Sequence, residues 1–244
     1  MKSIIVTGAS SGIGRATAEA FLEQGWKVGL IARRGDRLAE IAAKNPAAIP
    51  LPVDVTDASG MQAAFDKFLD MTGRLDALFN NAGSFGPSAS IDEVDLDDFD
   101  NVLNVNVRGM FIAAQLAFRQ MREQSPQGGR IINNGSLSAH SPRDSSICYT
   151  TSKHAITGMT RSLSLDGRPH DIACGQIDIG NARTELVDDL NARALADDPN
   201  ANLMPMMDVG DAARLVLHMA ELPPEANVQF MTVMATKMPY IGRG

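Results

Sequence analysis

The chain has 244 residues, with 22 basic side chains against 29 acidic ones and a net charge of −7, which argues against a general nucleic-acid binder. Hydrophobic residues make up 44% and charged residues 21%, ordinary for a globular protein, and no apolar run approaches the roughly 18 residues of a membrane span. The N-terminus carries no apolar leader with a cleavage site, and the two cysteines and four histidines form no metal-ligand spacing, so a cytoplasmic, metal-free protein is expected.

Strand and helix signals alternate from the start. Residues 3–6, Ser-Ile-Ile-Val, read as a buried parallel strand, and residues 15–24 as a helix ending before Gly25. Between them lies Thr7-Gly8-Ala9-Ser10-Ser11-Gly12-Ile13-Gly14. Strand, glycine turn and helix form the context a phosphate cradle requires. Gly8 permits the tight turn, Gly12 lets backbone approach a pyrophosphate, and Gly14 lets the helix pack against the strand. The helix N-terminus, with Ser10, Ser11 and Ile13 around it, turns free N–H groups and a positive dipole end toward an anion. The glycines follow a three-then-one spacing rather than the one-then-two of many dinucleotide folds.

A second strand at 27–31 leads through Arg33 and Arg34 into a helix over 34–44. A site that prefers NAD places an acid at this strand end to bind the ribose hydroxyls, and none occurs before Asp36. A guanidinium binds a 2′-phosphate through two parallel hydrogen bonds, so NADP(H) is favoured, with NAD(H) as the alternative. A third strand, 49–53, ends at Asp54 and Val55 and is followed by a helix over 57–71. A fourth, 75–79, ends at Asn80-Asn81-Ala82-Gly83. Helical stretches fill 99–121 and contain Asn106. A fifth strand, 130–133, precedes Ser136, and a sixth, 172–179, precedes Gly180 and Thr184. A last strand is expected at 231–234.

The helix over 149–165 carries Tyr149 and Lys153. Residues four apart share a helix face, so the phenol and the ammonium project into one space. A positive charge beside a phenol favours phenolate, which makes the side chain a proton donor and acceptor. A serine hydroxyl beside it, Ser136, can hold a carbonyl or alcohol oxygen while the proton moves. Each motif lies just past the carboxyl end of a strand, where ligands bind in open parallel sheets. The pattern predicts one α/β domain over 1–244, a doubly wound parallel sheet with helices on both faces.

Taken together, residues 7–14, Asp54-Val55, Asn80-Asn81-Ala82-Gly83, Asn106 in Val105-Asn106-Val107-Arg108-Gly109, Ser136, Tyr149 with Lys153, and Gly180 with Thr184 resemble the short-chain dehydrogenase/reductase family over nearly the whole chain. The likeness extends to its 3-oxoacyl-thioester reductase-like members. The resemblance implies a single-domain Rossmann-type sheet of about seven strands that moves hydride between a nicotinamide and a carbonyl or alcohol. It implies that Ser136 binds the substrate oxygen, that Tyr149 transfers the proton, and that Lys153 assists Tyr149 and holds the nicotinamide ribose. It assigns a water linking Lys153 to solvent to Asn106, and the adenine amino group to Asp54 with Val55 beside it. Asn81, Ala82 and Gly83 would run along the adenosine ribose, and Thr184 would bind near the nicotinamide carboxamide or phosphate. A homodimer or homotetramer is implied, with the apolar stretch 228–241 available for an interface.

The chain departs from the family at two places: Ile179-Gly180 stands for the usual Pro-Gly, and Asn134-Gly135 precedes the serine where an apolar residue and a second serine are frequent. A substrate lid is expected at about 183–207, polar at Asp188-Asp189 and Asp197-Asp198 and soft at Met204, Met206 and Met207. Phe85, Ser138, His140 and Leu186 are the candidate substrate contacts. Two other classes stand beside the enzyme: a catalytically silent nucleotide-sensing regulator and an interaction protein on the same scaffold. The intact set Asn106, Ser136, Tyr149 and Lys153 argues against both.

Overall fold

The computed structural model describes residues 1–184, 195–196 and 203–241. Its seven strands are β1 (Ser3–Thr7), β2 (Lys27–Ala32), β3 (Ala48–Pro52), β4 (Ala77–Asn80), β5 (Gly129–Asn134), β6 (Ile172–Ile179) and β7 (Phe230–Val233). They pair in the order β3-β2-β1-β4-β5-β6-β7, every pair parallel. Beginning at β1, the chain first builds outward through β2 and β3, then crosses back to β4 on the other side. That reversal opens a crevice beyond the carboxyl ends of β1 and β4.

Helices cover both faces, which is why β1 and β4 are buried along their whole length and read as continuous apolar runs rather than alternating ones. On one face lie α1 (Gly12–Glu23), α2 (Gly35–Ala42) and the last helix, α7 (Val209–Glu221), whose Phe21, Leu38, Val216 and Met219 pack with Ile4, Val6 and Leu30 of the sheet. On the other lie α3 (Ala58–Thr72) and α5 (Met110–Glu123), and Leu163 of α6 (Ile147–Gly167) joins them. Phe65, Phe68, Ala113, Ala117 and Met121 meet Ile5, Leu78 and Ile131 there. Burying each such large side chain contributes about 1.5–3 kcal/mol. A smaller cluster, Leu137, Ala235 and Met238 with Met207, Met234 and Tyr240 against it, seats the C-terminal segment on the chain itself.

The expected strands all form. Helix α3 begins one residue later than read, because Asp57 is its cap: Oδ1 accepts from Gly60 N at 3.0 Å, and Gly73 closes the other end at φ 76°. The helical stretch expected at 99–121 starts earlier, at α4 (Leu96–Leu103) capped by Asp95, and is interrupted by a π-helical turn over Asn104–Gly109. Helix α7 is absent from the sequence expectations, although Asp208 caps it and Ala212, Ala213, Val216, Met219 and Ala220 recur at helical spacing.

Cys148 and Cys174 are free and buried, as small hydrophobes would be, and burial pushes the Cys174 thiol up to about 12. Among the described residues no helix is long and apolar enough to cross a membrane.

Candidate active site

A trough runs across the carboxyl ends of the strands, from Arg33 and Arg34 after β2, over the glycine turn after β1, past Asn81 to Ser136, Tyr149 and Lys153. Gly8 holds φ 71°, a left-handed conformation that glycine adopts without strain, and a Cβ there would stand 3.1 Å from Ala82 Cα. A Cβ on Gly14 would overlap the Gly8 carbonyl oxygen, so α1 meets the turn at backbone distance. Thr184 lies over the same turn, its Cγ2 3.1 Å from where a Gly12 Cβ would be. This bare backbone at a helix N-terminus fits the pyrophosphate of a dinucleotide.

The two arginines divide their tasks. Arg34 Nη2 donates to Ser10 Oγ at 3.0 Å and Ser11 Oγ at 2.8 Å, so it is braced against the turn. Arg33 is 81% exposed at the mouth of the trough, with Nη1 3.9 Å from Asp54 Oδ2. Asp54 Oδ1 accepts from Thr56 N and Thr56 Oγ1, and those bonds, the backbone one foremost, hold the carboxyl below its ordinary range against the opposing effect of burial.

The end of β4 is laced to both neighbours. Thr7 Oγ1 accepts from Asn81 N at 2.8 Å and from Ala82 N at 2.9 Å, while Asn81 Nδ2 donates to Thr7 O at 2.9 Å. Asn81 Oδ1 accepts from Asn134 Nδ2 at 2.9 Å, tying β4 to β5. The floor is therefore rigid before any ligand arrives.

Ser136, Tyr149 and Lys153 converge at the far end. Tyr149 sits in the first turn of α6, at its electropositive end. One turn on, Lys153 is 3% exposed, and its Nζ stands 5.5 Å from the tyrosine ring centroid while donating to Asn134 O at 2.7 Å. Ser136 Oγ accepts from Ser138 N at 3.1 Å, which leaves the hydroxyl's own proton to be donated. The Phe85 ring lies 4.9 Å from the Tyr149 ring and walls the pocket.

Beneath Ser136 is a group that sequence reading missed. Asp178, fully buried at the end of β6, accepts from Ser136 N at 2.9 Å and Gln176 Nε2 at 2.7 Å through Oδ1, and pairs with His140 Nε2 at 2.9 Å through Oδ2. This explains Gly135: a Cβ there would overlap Asp178 Oδ1 and stand 2.6 Å from Gln176 Nε2. The only signal in the sequence was an acid inside the otherwise apolar run Ile177-Asp178-Ile179. Arg143 and Asn181, linked Nη2 to Oδ1 at 2.6 Å, line the pocket without having been singled out.

Nearly all the residues singled out from the sequence line this trough: Gly8, Ser10, Ser11, Ile13, Gly14, Arg33, Arg34, Asp54, Val55, Asn81, Ala82, Gly83, Phe85, Ser136, Ser138, Tyr149, Lys153, Gly180 and Thr184. Three stand behind it. Gly12 supports the turn, and His140 is drawn to Asp178. Asn106, in the π-helical turn, gives its amide to Ser84 O at 2.8 Å and Ser152 Oγ at 3.0 Å and accepts from Ser84 N. Leu186 and most of the expected lid, 185–194 and 197–202, lie outside the described residues. The described residues on either side of that stretch are joined, with Arg183 N donating to Met207 O and Met207 N to Asn181 O. Gly180 is needed for close packing, since a Cβ would come 2.9 Å from Met234 Cβ.

The short chain dehydrogenase family matches residues 2–195. Sulfoacetaldehyde reductase 2 of Chromohalobacter salexigens is 29% identical over 97% of this chain and 95% of its own. Glucose 1-dehydrogenase 2 of Bacillus subtilis is 34% identical over 75% of this chain and 73% of its own. A short chain dehydrogenase from Burkholderia cenocepacia, solved in complex with NADP, superposes with a TM-score of 0.82 at 31% identity over 96% of both chains. The 3-ketoacyl-(acyl-carrier-protein) reductase of Brucella melitensis, complexed with NADH, shares the fold at a TM-score of 0.85 and 23% identity, again over 96% of both.

Proposed function

This chain belongs to the short-chain dehydrogenase family, an NAD(P)-dependent oxidoreductase by that membership, and on that premise we propose that it transfers hydride between NADP(H) and a small carbonyl or alcohol, with Tyr149 as the acid and base. The observation that carries the reading is the convergence of Ser136, Tyr149 and Lys153 at one end of a trough whose other end offers Arg33, Arg34 and a glycine turn. A regulator with no reaction to perform has no need of the first group.

When bound, the nicotinamide supplies or takes the hydride. The chain handles the remaining proton and the substrate oxygen. In the reducing direction Ser136 donates its hydroxyl proton to the carbonyl oxygen as a hydrogen bond and holds it beside the phenol. Tyr149 delivers its proton to that oxygen as the carbon receives hydride, so carbonyl, hydride and proton sum to the alcohol. Lys153, anchored by the Asn134 carbonyl, stabilises the phenolate left behind. With its side chain engaged by Ser84 and Ser152, Asn106 would hold the water that the family resemblance assigns to it through its backbone. Steady turnover of NADPH with at least one member of a panel of sugar, steroid, acyl-thioester and small aldehyde carbonyls is expected. A folded protein that binds dinucleotide and reduces none of these classes would favour the regulator.

For the cofactor, the exposed Arg33 and the absence of an acid before Asp36 support NADP(H) over NAD(H). Arg33→Ala is expected to weaken NADPH binding roughly tenfold, the worth of a charge-assisted hydrogen bond, and to leave NADH nearly unchanged. Equal losses for both cofactors in a titration would refute the preference.

A homo-oligomer is proposed through the outer face of α5 and α6. There Phe111 (52% exposed) and Leu165 (59% exposed) lie unprotected, and Phe111, Phe118, Met159 and Leu163 line an apolar groove. Light scattering is expected to give a dimer or tetramer mass that Phe111→Glu reduces; a parent protein of monomer mass would end this proposal.

A further inference from the structure

Three donors converge on the buried carboxyl of Asp178. Its Oδ1 accepts from Ser136 N at 2.9 Å and Gln176 Nε2 at 2.7 Å, and its Oδ2 faces His140 Nε2 at 2.9 Å. A carboxylate only accepts, so Nε2 is the nitrogen that carries the proton in this pair. Both oxygens are used at once, which suits an acid better than an amide with one donor end and one acceptor end. Among the described residues His140 is the one ion-pairing partner of this carboxyl, and a buried acid is costly without such a partner.

Two of the three donors are the ends of one loop. Ser136 opens it and His140 closes it, with a 3-10 turn over Leu137–Ala139 between them. Ala139 N donates to Ser136 O at 2.9 Å and His140 N to Leu137 O at 3.0 Å, while Ser138 N meets Ser136 Oγ. A turn this short holds few bonds of its own, and the carboxyl clips it at both ends. The adjoining end of β5 gives the serine no side-chain support: Asn134 spends Nδ2 on Asn81 Oδ1, and its own Oδ1 has no partner. His140, its side chain 41% exposed, stands behind the trough, so its route to the reaction runs through Asp178.

We propose that His140, acting through Asp178, is a positioning residue for Ser136. By closing the loop on the carboxyl it fixes where the serine hydroxyl meets the substrate oxygen. The inference rests on the carbonyl reduction proposed above, in which that hydroxyl holds the oxygen beside Tyr149. Misplacing a group at a reacting centre by about 1 Å can cost about 10²-fold in rate, so a clip on this loop matters to turnover as well as to folding.

The test is single-turnover reduction, with saturating NADPH, of whichever carbonyl in the panel above the parent protein reduces fastest. The variants are His140→Ala and His140→Gln, whose amide nitrogen reaches as far as Nε2, together with His140→Ala in the Ser136→Ala and Asp178→Ala backgrounds. His140→Ala is expected to slow the step roughly five- to tenfold, the worth of one hydrogen bond, with NADPH affinity unchanged. His140→Gln should restore the rate to within about twofold, and His140→Ala should cost less than about twofold once Ser136 or Asp178 is already gone. Should Asp178→Ala fail to fold, the other three variants still decide, because His140 is at the surface. A parental rate in His140→Ala would overturn the proposal, as would the same loss in the Ser136→Ala background, which would mean that His140 supports the fold and not the serine. A rise in substrate KM at parental kcat, left unrescued by His140→Gln, would show His140 touching the substrate and overturn the positioning role. Failure of the parent protein to reduce any carbonyl would instead remove the reading on which the proposal stands.

Discussion

Tyr149→Phe is expected to reduce a carbonyl substrate roughly 10²–10⁴-fold more slowly than the parent protein, the usual worth of a positioned general acid. Its NADPH affinity should weaken by no more than about tenfold, since a single hydroxyl is lost. The substitution removes one oxygen from a ring that stays seated against Phe85 and beside Lys153, so neither α6 nor the trough should rearrange. Single-turnover kinetics with a saturating cofactor separate the two effects. A variant retaining more than about a tenth of parental turnover would show that another group delivers the proton. Ser136→Ala is the informative companion: it leaves the phenol but removes the donor to the substrate oxygen, so loss through the same step should appear without loss of cofactor binding.

The second large effect concerns stability. Gly135→Ala forces a methyl group into the space of Asp178 Oδ1 and the Gln176 amide, both held by other bonds, so they cannot move aside freely. Overpacking of this kind costs about 1–3 kcal/mol, and disturbing the carboxyl that anchors Ser136 N adds to it. For a chain of this size each kcal/mol lowers Tm by about 2–4 °C. Asp178→Ala alone is also destabilising, because Ser136 N and Gln176 Nε2 lose their acceptor. In the double variant the overlap with Asp178 is gone and only that with Gln176 remains, so the combined loss should fall short of the sum of the single losses by up to about 1–3 kcal/mol in denaturant unfolding. Strict additivity would mean that Gly135 is present for some reason other than Asp178.

Asp178 also shows what cannot be read from a linear pattern. In the sequence it is one acid between two isoleucines, and His140 is one histidine in a loop 38 residues earlier. Nothing local joins them. Strand β6 next to β5 brings the carboxyl under the turn that carries Ser136, and only then do Gly135, Gln176 and His140 become parts of one arrangement. The same holds for Asn134, whose free oxygen is defined by bonds that pass through Asn81 to Thr7, 74 positions from Asn81. Asn106 was legible as a candidate site residue, but that its side chain binds the Ser84 loop to α6 from within a π-helical turn is something no periodicity announced.

What the chain determined on its own was every feature whose cause is local: alternating apolar runs and helical stripes that yield a doubly wound parallel sheet, a glycine turn between β1 and α1, and a tyrosine and lysine one helical turn apart. Backbone sterics and residue spacing act over a few positions, so these could be recognised without coordinates. Tertiary packing alone decided which donors and acceptors were used up and which were left, because hydrogen bonds across neighbouring strands depend on register between segments far apart in the chain. That is why the residues that line the trough were legible in the sequence, whereas the buried carboxyl beneath Ser136 and the unpaired oxygen of Asn134 emerged only in the folded protein.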